Sequence, residues 1–200
     1  SPIDRVRNHP IVAAAQAATG HSCRLLTFAA DMGAPDLGID PADRASIRRL
    51  RVSAVVHSAA AVDHARSYDA LRGTNVDAAS AILEMLCSDG SDTRDPATFV
   101  FVSTMSVIPV ATAAIAAGWA GATSSTTSLV PPACAAALES GYAQSKLVAE
   151  HRLARAAAEG RIRLVIARLG LLGDAQLDEP LPENPIYPLS EPRPRPQLSD

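Results

Sequence analysis

Four short apolar runs alternate with three helical patterns along this chain, and this alternation restricts the possible folds more than any other feature. Strands are predicted at residues 24–29, 52–60, 98–102 and 161–167, and helices at residues 40–51, 68–87 and 143–158. This order is typical of a parallel sheet with helices on both faces. Ligands bind such sheets beyond the carboxyl ends of the strands. We therefore expect one α/β domain whose functional residues follow its strands.

The region after residue 175 differs in composition from the rest of the chain. Seven prolines lie between residues 177 and 200, a density that excludes helix and most strand. We expect a domain over residues 1–175 and an extended or disordered proline-rich tail over residues 176–200.

Charge and cysteine usage exclude several classes of function. The net charge of −3 and the pI near 5.9 leave no basic stripe for nucleic acid. Cys23, Cys87 and Cys134 are odd in number and lack CxxC spacing, so neither a disulfide framework nor a zinc site is indicated. A reducing, cytoplasmic location is the expectation.

The longest apolar stretch, residues 107–122, is shorter than the run of about 18–20 residues that a membrane span needs. It also contains Pro109 and two glycines. No secretory leader is recognised at the start of the chain. We expect neither membrane insertion nor secretion.

Tyr142 and Lys146 lie one helical turn apart, which places a phenol and an ammonium on one helix face. An ammonium beside a phenol favours the phenolate and makes a tyrosine a better proton donor near neutral pH. Upstream, the predicted strand at residues 98–102 delivers the hydroxyls of Ser103 and Thr104 to its carboxyl end. On its own, a Tyr-x-x-x-Lys pair is also compatible with two surface residues.

Five segments share their order with the motifs of a known family. They are HSAAAV (57–62), NV (75–76), FVSTMSV (101–107), GYAQSK (141–146) and RLG (168–170). Together they resemble the extended short-chain dehydrogenases, whose fold is a Rossmann-type doubly wound parallel sheet. Within them, the chain is most similar to the thioester reductase domains that terminate nonribosomal peptide synthetases, carboxylic acid reductases and aminoadipate reductase. The resemblance covers about residues 25–173.

The resemblance implies a reaction, a cofactor and a partner. NADPH would reduce an acyl or peptidyl thioester, held on the phosphopantetheine arm of a carrier protein, to an aldehyde or an alcohol. Thr104, Tyr142 and Lys146 match the catalytic residues of the family. Thr104 would bind the carbonyl oxygen, Tyr142 would protonate it, and Lys146 would hold the nicotinamide ribose and tune the tyrosine.

The resemblance also implies a set of cofactor-binding residues, some of which have simpler explanations. They are Asp31, Met32, Ala59, Ala60, Asn75, Tyr142, Lys146 and Leu169. The aspartate is equally compatible with an ordinary turn, the alanines with helix packing, and the asparagine with a helix cap.

The chain departs from the family where the cofactor's pyrophosphate should bind. The fold uses a glycine-rich turn between its first strand and helix, but the glycine pairs Gly118/Gly121 and Gly170/Gly173 lie elsewhere. Residues 1–22 resemble the helix and loop before the family's third strand, so we expect the first βαβ unit to be missing. Leu169 also replaces the proline of the family's Arg-Pro-Gly turn.

Two other chemistries are disfavoured. His57, Asp63 and His64 lack the further ligands of a zinc pattern, so structural or substrate-lining roles are expected. Ser103 and Ser106 lack the Gly-x-Ser-x-Gly turn of a hydrolase nucleophile.

Two alternatives to thioester reduction stay open. One is another extended short-chain dehydrogenase, acting on a sugar nucleotide or a steroid-like substrate. The other is a truncated, non-catalytic chain that persists as an interaction module.

Overall fold

A computed structural model of the protein describes residue 10 and residues 26–50, 52–87, 95–109 and 129–170. Within them, three parallel strands form one sheet in the order β1-β2-β3: β1 (Ala54–His57), β2 (Thr98–Thr104) and β3 (Arg163–Leu169). In the central strand, Phe101 pairs with His57 of β1 and with Ile166 of β3. All three carboxyl ends therefore lie at one edge of the sheet.

Four α-helices accompany the sheet in the described residues. They are α1 (Pro41–Arg49), α2 (Tyr68–Arg72), α3 (Ala78–Cys87) and α4 (Gly141–Ala158). Each of α1, α2 and α4 begins after a residue whose side chain accepts a hydrogen bond from a backbone N–H of the first turn, namely Asp40, Ser67 and Ser140. The predicted order of strands and helices is confirmed at these elements.

The predicted helix over residues 68–87 is one run with a wider turn in the middle. A π-helical segment, Gly73–Asp77, separates α2 from α3 and contains the buried residues Asn75 and Val76. Such wide turns are rare and occur often at functional sites.

The core lies between the sheet and two of the helices. Phe99 and Phe101 project from one face of β2, and both are fully buried. They pack against Ala79 and Leu83 of α3, and against a stripe of α4 made of Ala149, Leu153 and Ala156. The small α4 residues allow this helix to approach the sheet closely.

The opposite face of the sheet carries exposed apolar side chains. Val56 of β1 is 68% exposed and Val165 of β3 is 49% exposed. Both are paired in register with Val100 of β2, so they form one row across the sheet.

The strand predicted at residues 24–29 is not present in the part of that range that the structure describes. Residues 26–30 have no strand assignment and pair with none of β1, β2 or β3. The physical reason is that a strand needs a hydrogen-bonding neighbour. In the usual Rossmann order, 3-2-1-4-5-6, the third strand pairs with the second and does not reach the fourth.

Some predictions fall outside the described residues. They are the domain boundary at residue 175, the proline-rich tail, and most of the apolar stretch at 107–122. No helix in the described part of the chain is long and apolar enough to cross a membrane.

Candidate active site

The first turn of α4 brings Tyr142 to the carboxyl edge of the sheet because a glycine precedes it. A Cβ placed on Gly141 would lie 2.3 Å from the backbone nitrogen of Tyr68 and 2.5 Å from the carbonyl oxygen of Arg66. Only a residue without a side chain fits this approach. The start of α4 therefore rests directly on the backbone of the loop that follows β1.

Lys146 is almost entirely buried, with 1% of its surface exposed. Its Nζ lies 4.0 Å from the centre of the Phe101 ring, a cation–π contact with the central strand. Burial lowers the pKa of Lys146 from 10.5 to about 8, and the charge of Glu150 acts in the opposite direction. At pH 7 the cation is still favoured, by about ten to one.

Glu150 lies one helical turn beyond Lys146 and is also fully buried. Its Oε1 accepts a hydrogen bond of 2.6 Å from Ser103 Oγ and one of 3.0 Å from Arg168 Nε. Its Oε2 forms a 2.6 Å ion pair with Arg168 Nη2. One carboxylate thus joins α4 to the ends of both β2 and β3.

Asn75 in the π-helical segment joins a second set of elements. Its amide nitrogen donates to Ala61 O (3.0 Å) and to Ser145 Oγ (2.9 Å), and its Oδ1 accepts from Ala61 N (2.8 Å). Ser145 Oγ in turn donates to the Tyr142 carbonyl (2.7 Å). The side chain therefore links the loop after β1 to the helix that carries Tyr142 and Lys146.

Tyr142 is buried, and the ring of His64 packs edge-on against it with 5.2 Å between the centroids. His64 also lines a cleft of about 310 Å³ with Ser106, Ile108, Pro109, Ala137, Leu138, Glu139, Ser140 and Ala143. These residues include sequence neighbours of both Thr104 and Tyr142. The cleft has both polar and apolar side chains and opens beside the candidate catalytic residues.

Thr104 is the last residue of β2 and caps the short helix Met105–Val107. Its Oγ1 accepts from Ser106 N (3.1 Å) and donates to Ser106 Oγ (3.2 Å). In this arrangement Thr104 acts as a cap, and its catalytic role stays a prediction.

The other predicted cofactor-binding residues lie in the turn that precedes α1 and at the ends of β1 and β3. Asp31 is exposed and its Oδ1 accepts from Gly33 N (2.8 Å), which is the hydrogen bond of an ordinary turn. That turn lies beside the π-helical segment, since a Cβ on Gly33 would be 3.5 Å from Thr74 Oγ1. Met32 packs on the cluster formed by Leu37, Ile39 and Ala78.

The strand-end candidates are accessible to a ligand. Ala59 is exposed and Ala60 is half-buried in the segment after β1, and Leu169, at the end of β3, is 37% exposed. Roles in cofactor binding stay predictions for all of these residues.

His57 ends β1 and lies among aromatic rings. It stacks on Phe101 with 5.7 Å between centroids and meets Phe99 edge-on at 6.2 Å. Burial, with a smaller contribution from the charge of Lys146, lowers the pKa of His57 from 6.5 to about 4. Its buried Nε2 has no hydrogen-bond partner among the described residues.

The disfavoured chemistries receive no support from the described geometry. Ser103 Oγ donates its proton to Glu150 Oε1 (2.6 Å), so this hydroxyl is bound to a carboxylate. Asp63 Oδ1 accepts from Ala65 N and Arg66 N within its own turn. Across the described ranges, no group of three or more His, Cys, Asp or Glu side chains could hold a metal ion.

Sequence reasoning does not single out Glu150. Its detectable signal is its position four residues after Lys146, in a helix stripe that is otherwise small or apolar. A second signal is that Lys146 is the only lysine in the chain, whereas the other basic residues apart from histidine are all arginines. Lysine differs from arginine in that burial readily changes its pKa.

Comparison with known proteins identifies the family. A family model for an NAD-binding domain, described as male sterility protein, matches residues 3–184. The chain belongs to this family. The NAD-binding male sterility family is part of the extended short-chain dehydrogenases, which confirms the resemblance recognised from the motifs. No curated protein matches the chain.

Two solved structures of reductase domains are similar to this chain over about three quarters of its length. The terminal R domain from the myxalamid PKS-NRPS biosynthetic pathway is 26% identical, with a TM-score of 0.56 over 78% of this chain and 35% of that one. A thiolation-reductase di-domain from an archaeal non-ribosomal peptide synthetase is 22% identical, with a TM-score of 0.54 over 75% of this chain and 36% of that one. The chain thus spans about a third of the length of these two proteins.

A third structure supports the fold alone. It is RMD from Pseudomonas aeruginosa complexed with NADPH, at 21% identity and a TM-score of 0.53, covering 80% of this chain and 50% of that one. The predicted Rossmann-type fold is confirmed.

Proposed function

We propose that this chain carries the hydride-transfer site of an NADPH-dependent reductase for thioesters. Its substrate would be an acyl or peptidyl group on the phosphopantetheine arm of a carrier protein, and its product an aldehyde or an alcohol. The observation that carries this proposal is the burial of the only lysine, one helical turn from Tyr142, against the central strand that ends in Thr104. The similarity to two reductase domains of peptide synthetases supports the substrate class.

The residues present fit the nicotinamide end of the cofactor. Small residues at the end of β1 leave the backbone open at Ala59, and the unpartnered Nε2 of His57 lies just before it. Lys146 is the residue that would hold the ribose, with Asn75 fixing the loop beside it. The glycine-rich turn that would bind the pyrophosphate is absent from the sequence. When bound, NADPH would supply the hydride.

The side chains of this protein would manage the charge that develops on the substrate. As a carbon–hydrogen bond forms at the thioester carbonyl, its oxygen gains negative charge. The hydroxyl of Thr104 would donate a hydrogen bond to that oxygen, and Tyr142 would transfer its phenolic proton to it. The resulting hemithioacetal breaks its carbon–sulfur bond, which releases the aldehyde and returns the carrier thiol.

The cleft beside Tyr142 offers an apolar surface to an acyl chain through Ile108, Pro109, Leu138 and two alanines. Its polar lining residues are His64, Ser106, Glu139 and Ser140. A carrier protein is the proposed partner. We place the protein in the cytoplasm, because the cysteines form neither disulfide nor zinc patterns and Cys134 is buried as a free thiol.

The test begins with NADPH binding to the full 200-residue chain by calorimetry. We expect micromolar binding, weakened about tenfold or more by Lys146→Ala because the ribose contact is lost. Arg155→Ala, an exposed position on the same helix, is the control and should bind as the wild type does. Absence of binding by a folded wild-type chain would contradict the proposal.

Turnover of a carrier-bound thioester is the second measurement. Tyr142→Phe should lower it by about 100-fold or more, the usual effect of losing a positioned proton donor. Tyr68→Phe changes a tyrosine at the start of another helix and should leave turnover unchanged. Equal turnover with a sugar nucleotide and no need for a carrier would point to the alternative dehydrogenase function.

A further inference from the structure

Lys146 lies in a buried environment that disfavours its charged form. It is 1% exposed, it lies over an aromatic ring, and burial is the largest influence on its pKa. A neutral amine there could not attract the oxygens of a ribose as a cation does. Something in the surrounding structure must therefore favour the charged form.

The titratable and charged groups around Lys146 come from three elements. His57 of β1 is neutral near pH 7, since its pKa is about 4. Arg168 of β3 is a cation and would repel Lys146 if it were alone. Tyr142 and Glu150 share α4 with Lys146, one turn away on either side. Of these groups, Glu150 supplies the anion.

Glu150 also contacts the neighbours of candidate site residues at the ends of β2 and β3, and it lies on the helix that carries the other candidates. It binds Ser103, which precedes Thr104, and Arg168, which precedes Leu169. It lies on the same helix as Tyr142 and Lys146. A single carboxylate therefore fixes the spacing between the ends of β2 and β3 and the reactive face of α4.

We propose that Glu150 is a positioning residue for Lys146: its buried carboxylate holds the ends of β2 and β3 against α4 and supplies the negative charge that keeps Lys146 a cation. Arg168 neutralises part of that charge at 2.6 Å, and Ser103 donates the remaining hydrogen bond. Glu150 contacts neither substrate nor cofactor in this role. The consequence for the reaction rests on the proposed function, but the role itself can be measured without turnover.

The presence of a single lysine makes the measurement direct. Selective ¹³C labelling of lysine gives one side-chain Cε signal from the chain, and the pH dependence of its chemical shift reports the pKa of Lys146. We expect a value near 8 in the wild type. Glu150→Gln keeps the shape of the side chain and removes its charge, and it should lower that value by about one unit or more. Such a shift would leave about half of Lys146 neutral at pH 7.

Two matched variants separate charge from packing. Glu159→Gln removes a carboxylate from the residue that follows α4, whose ion pair with Arg155 is exposed, and the pKa of Lys146 should not change. Ser103→Ala removes a hydrogen bond to Glu150 but leaves its charge, so the pKa of Lys146 should change little. An effect of Ser103→Ala as large as that of Glu150→Gln would overturn the proposal, and so would an unchanged pKa in Glu150→Gln.

Glu150→Gln leaves the buried Arg168 without its carboxylate, and this could prevent folding. The double variant Glu150→Gln, Arg168→Gln removes the buried ion pair without leaving its arginine unpaired. Because Arg168 repels Lys146, the double variant is compared with Arg168→Gln alone, and the pKa of Lys146 should be about one unit or more lower in the double variant. Equal values in these two folded variants would show that Glu150 does not have this role. A fall in pKa combined with no NADPH binding by the wild type would uphold the role of Glu150 and reject the proposed function.

Discussion

The carboxyl ends of β1 and β3 lie on either side of the same central strand. They differ in whether their buried polar groups have hydrogen-bond partners. At the end of β3, Arg168 and Glu150 form a buried ion pair in which both carboxylate oxygens are bound, one of them also by Ser103. At the end of β1, the buried Nε2 of His57 has no partner among the described residues. The first region is a completed structural contact. The second contains a buried polar atom without a hydrogen-bond partner, next to the alanines that we propose for the cofactor.

The largest effect should come from breaking the contact at β3. Arg168→Met leaves the carboxylate of Glu150 buried without its cation, and we expect a loss of about 3–5 kcal/mol in the free energy of unfolding. Urea denaturation measures this loss. The control is Arg155→Met, whose ion pair with Glu159 involves an arginine side chain that is 83% exposed. Such exposed pairs contribute about 0.5 kcal/mol or less. Equal losses in both variants would remove the contrast between buried and surface pairs.

The next effect is a loss of folding stability at low pH, caused by His57 at the end of β1. The pKa of His57 is about 4 in the folded chain and near 6.5 when unfolded, so between these values the unfolded chain binds more protons. Stability should therefore fall as the pH drops from 6.5 to 4, by up to about 3 kcal/mol from this group. His57→Phe keeps an aromatic ring on Phe101 and should remove that part of the pH dependence. His64→Gln, at an exposed position, should retain it. Identical pH profiles for His57→Phe and the wild type would show that His57 is not the group responsible.

A smaller effect should come from separating the loop after β1 from α4. In Gly141→Ala the new methyl group would meet backbone atoms of residues 66–68 at 2.3–2.5 Å. Backbone cannot rotate away as a side chain can, so we expect a loss of about 1–3 kcal/mol, measured by thermal unfolding. Gly170→Ala is the control, since nothing lies within 4 Å of the position of its Cβ. If Gly141→Ala is as stable as Gly170→Ala, the loop after β1 can move away from α4 without loss of stability.

The sequence predicts those elements that are determined by residues close together along the chain. Helices are predicted over residues 40–51 and 143–158, and α1 and α4 begin within two residues of these predicted starts. The run from Thr98 is strand-forming on both faces, and β2 is the central strand. Tyr142 and Lys146 share a helix face because of their spacing alone.

What the sequence does not predict depends on contacts between distant elements. Residues 24–29 have the composition of a strand, but composition does not supply a neighbouring strand. The burial of Glu150 depends on Ser103 and Arg168, which are 47 and 18 residues away along the chain. The turn bond of Asp31 and the cap formed by Thr104 are local, yet they do not distinguish a structural from a functional aspartate or threonine.

The wide turn at Gly73–Asp77 also limits how this sequence can change over evolutionary time. Each residue of a helix advances it by about 100°, so losing one residue here would rotate α3 by that angle relative to α2. Ala79 and Leu83 would then leave the core around Phe99, and Asn75 could not reach both Ala61 and Ser145. Single-residue insertions and deletions should therefore be selected against in this short segment. When related sequences are aligned, gaps are easily misplaced within a helix such as this one.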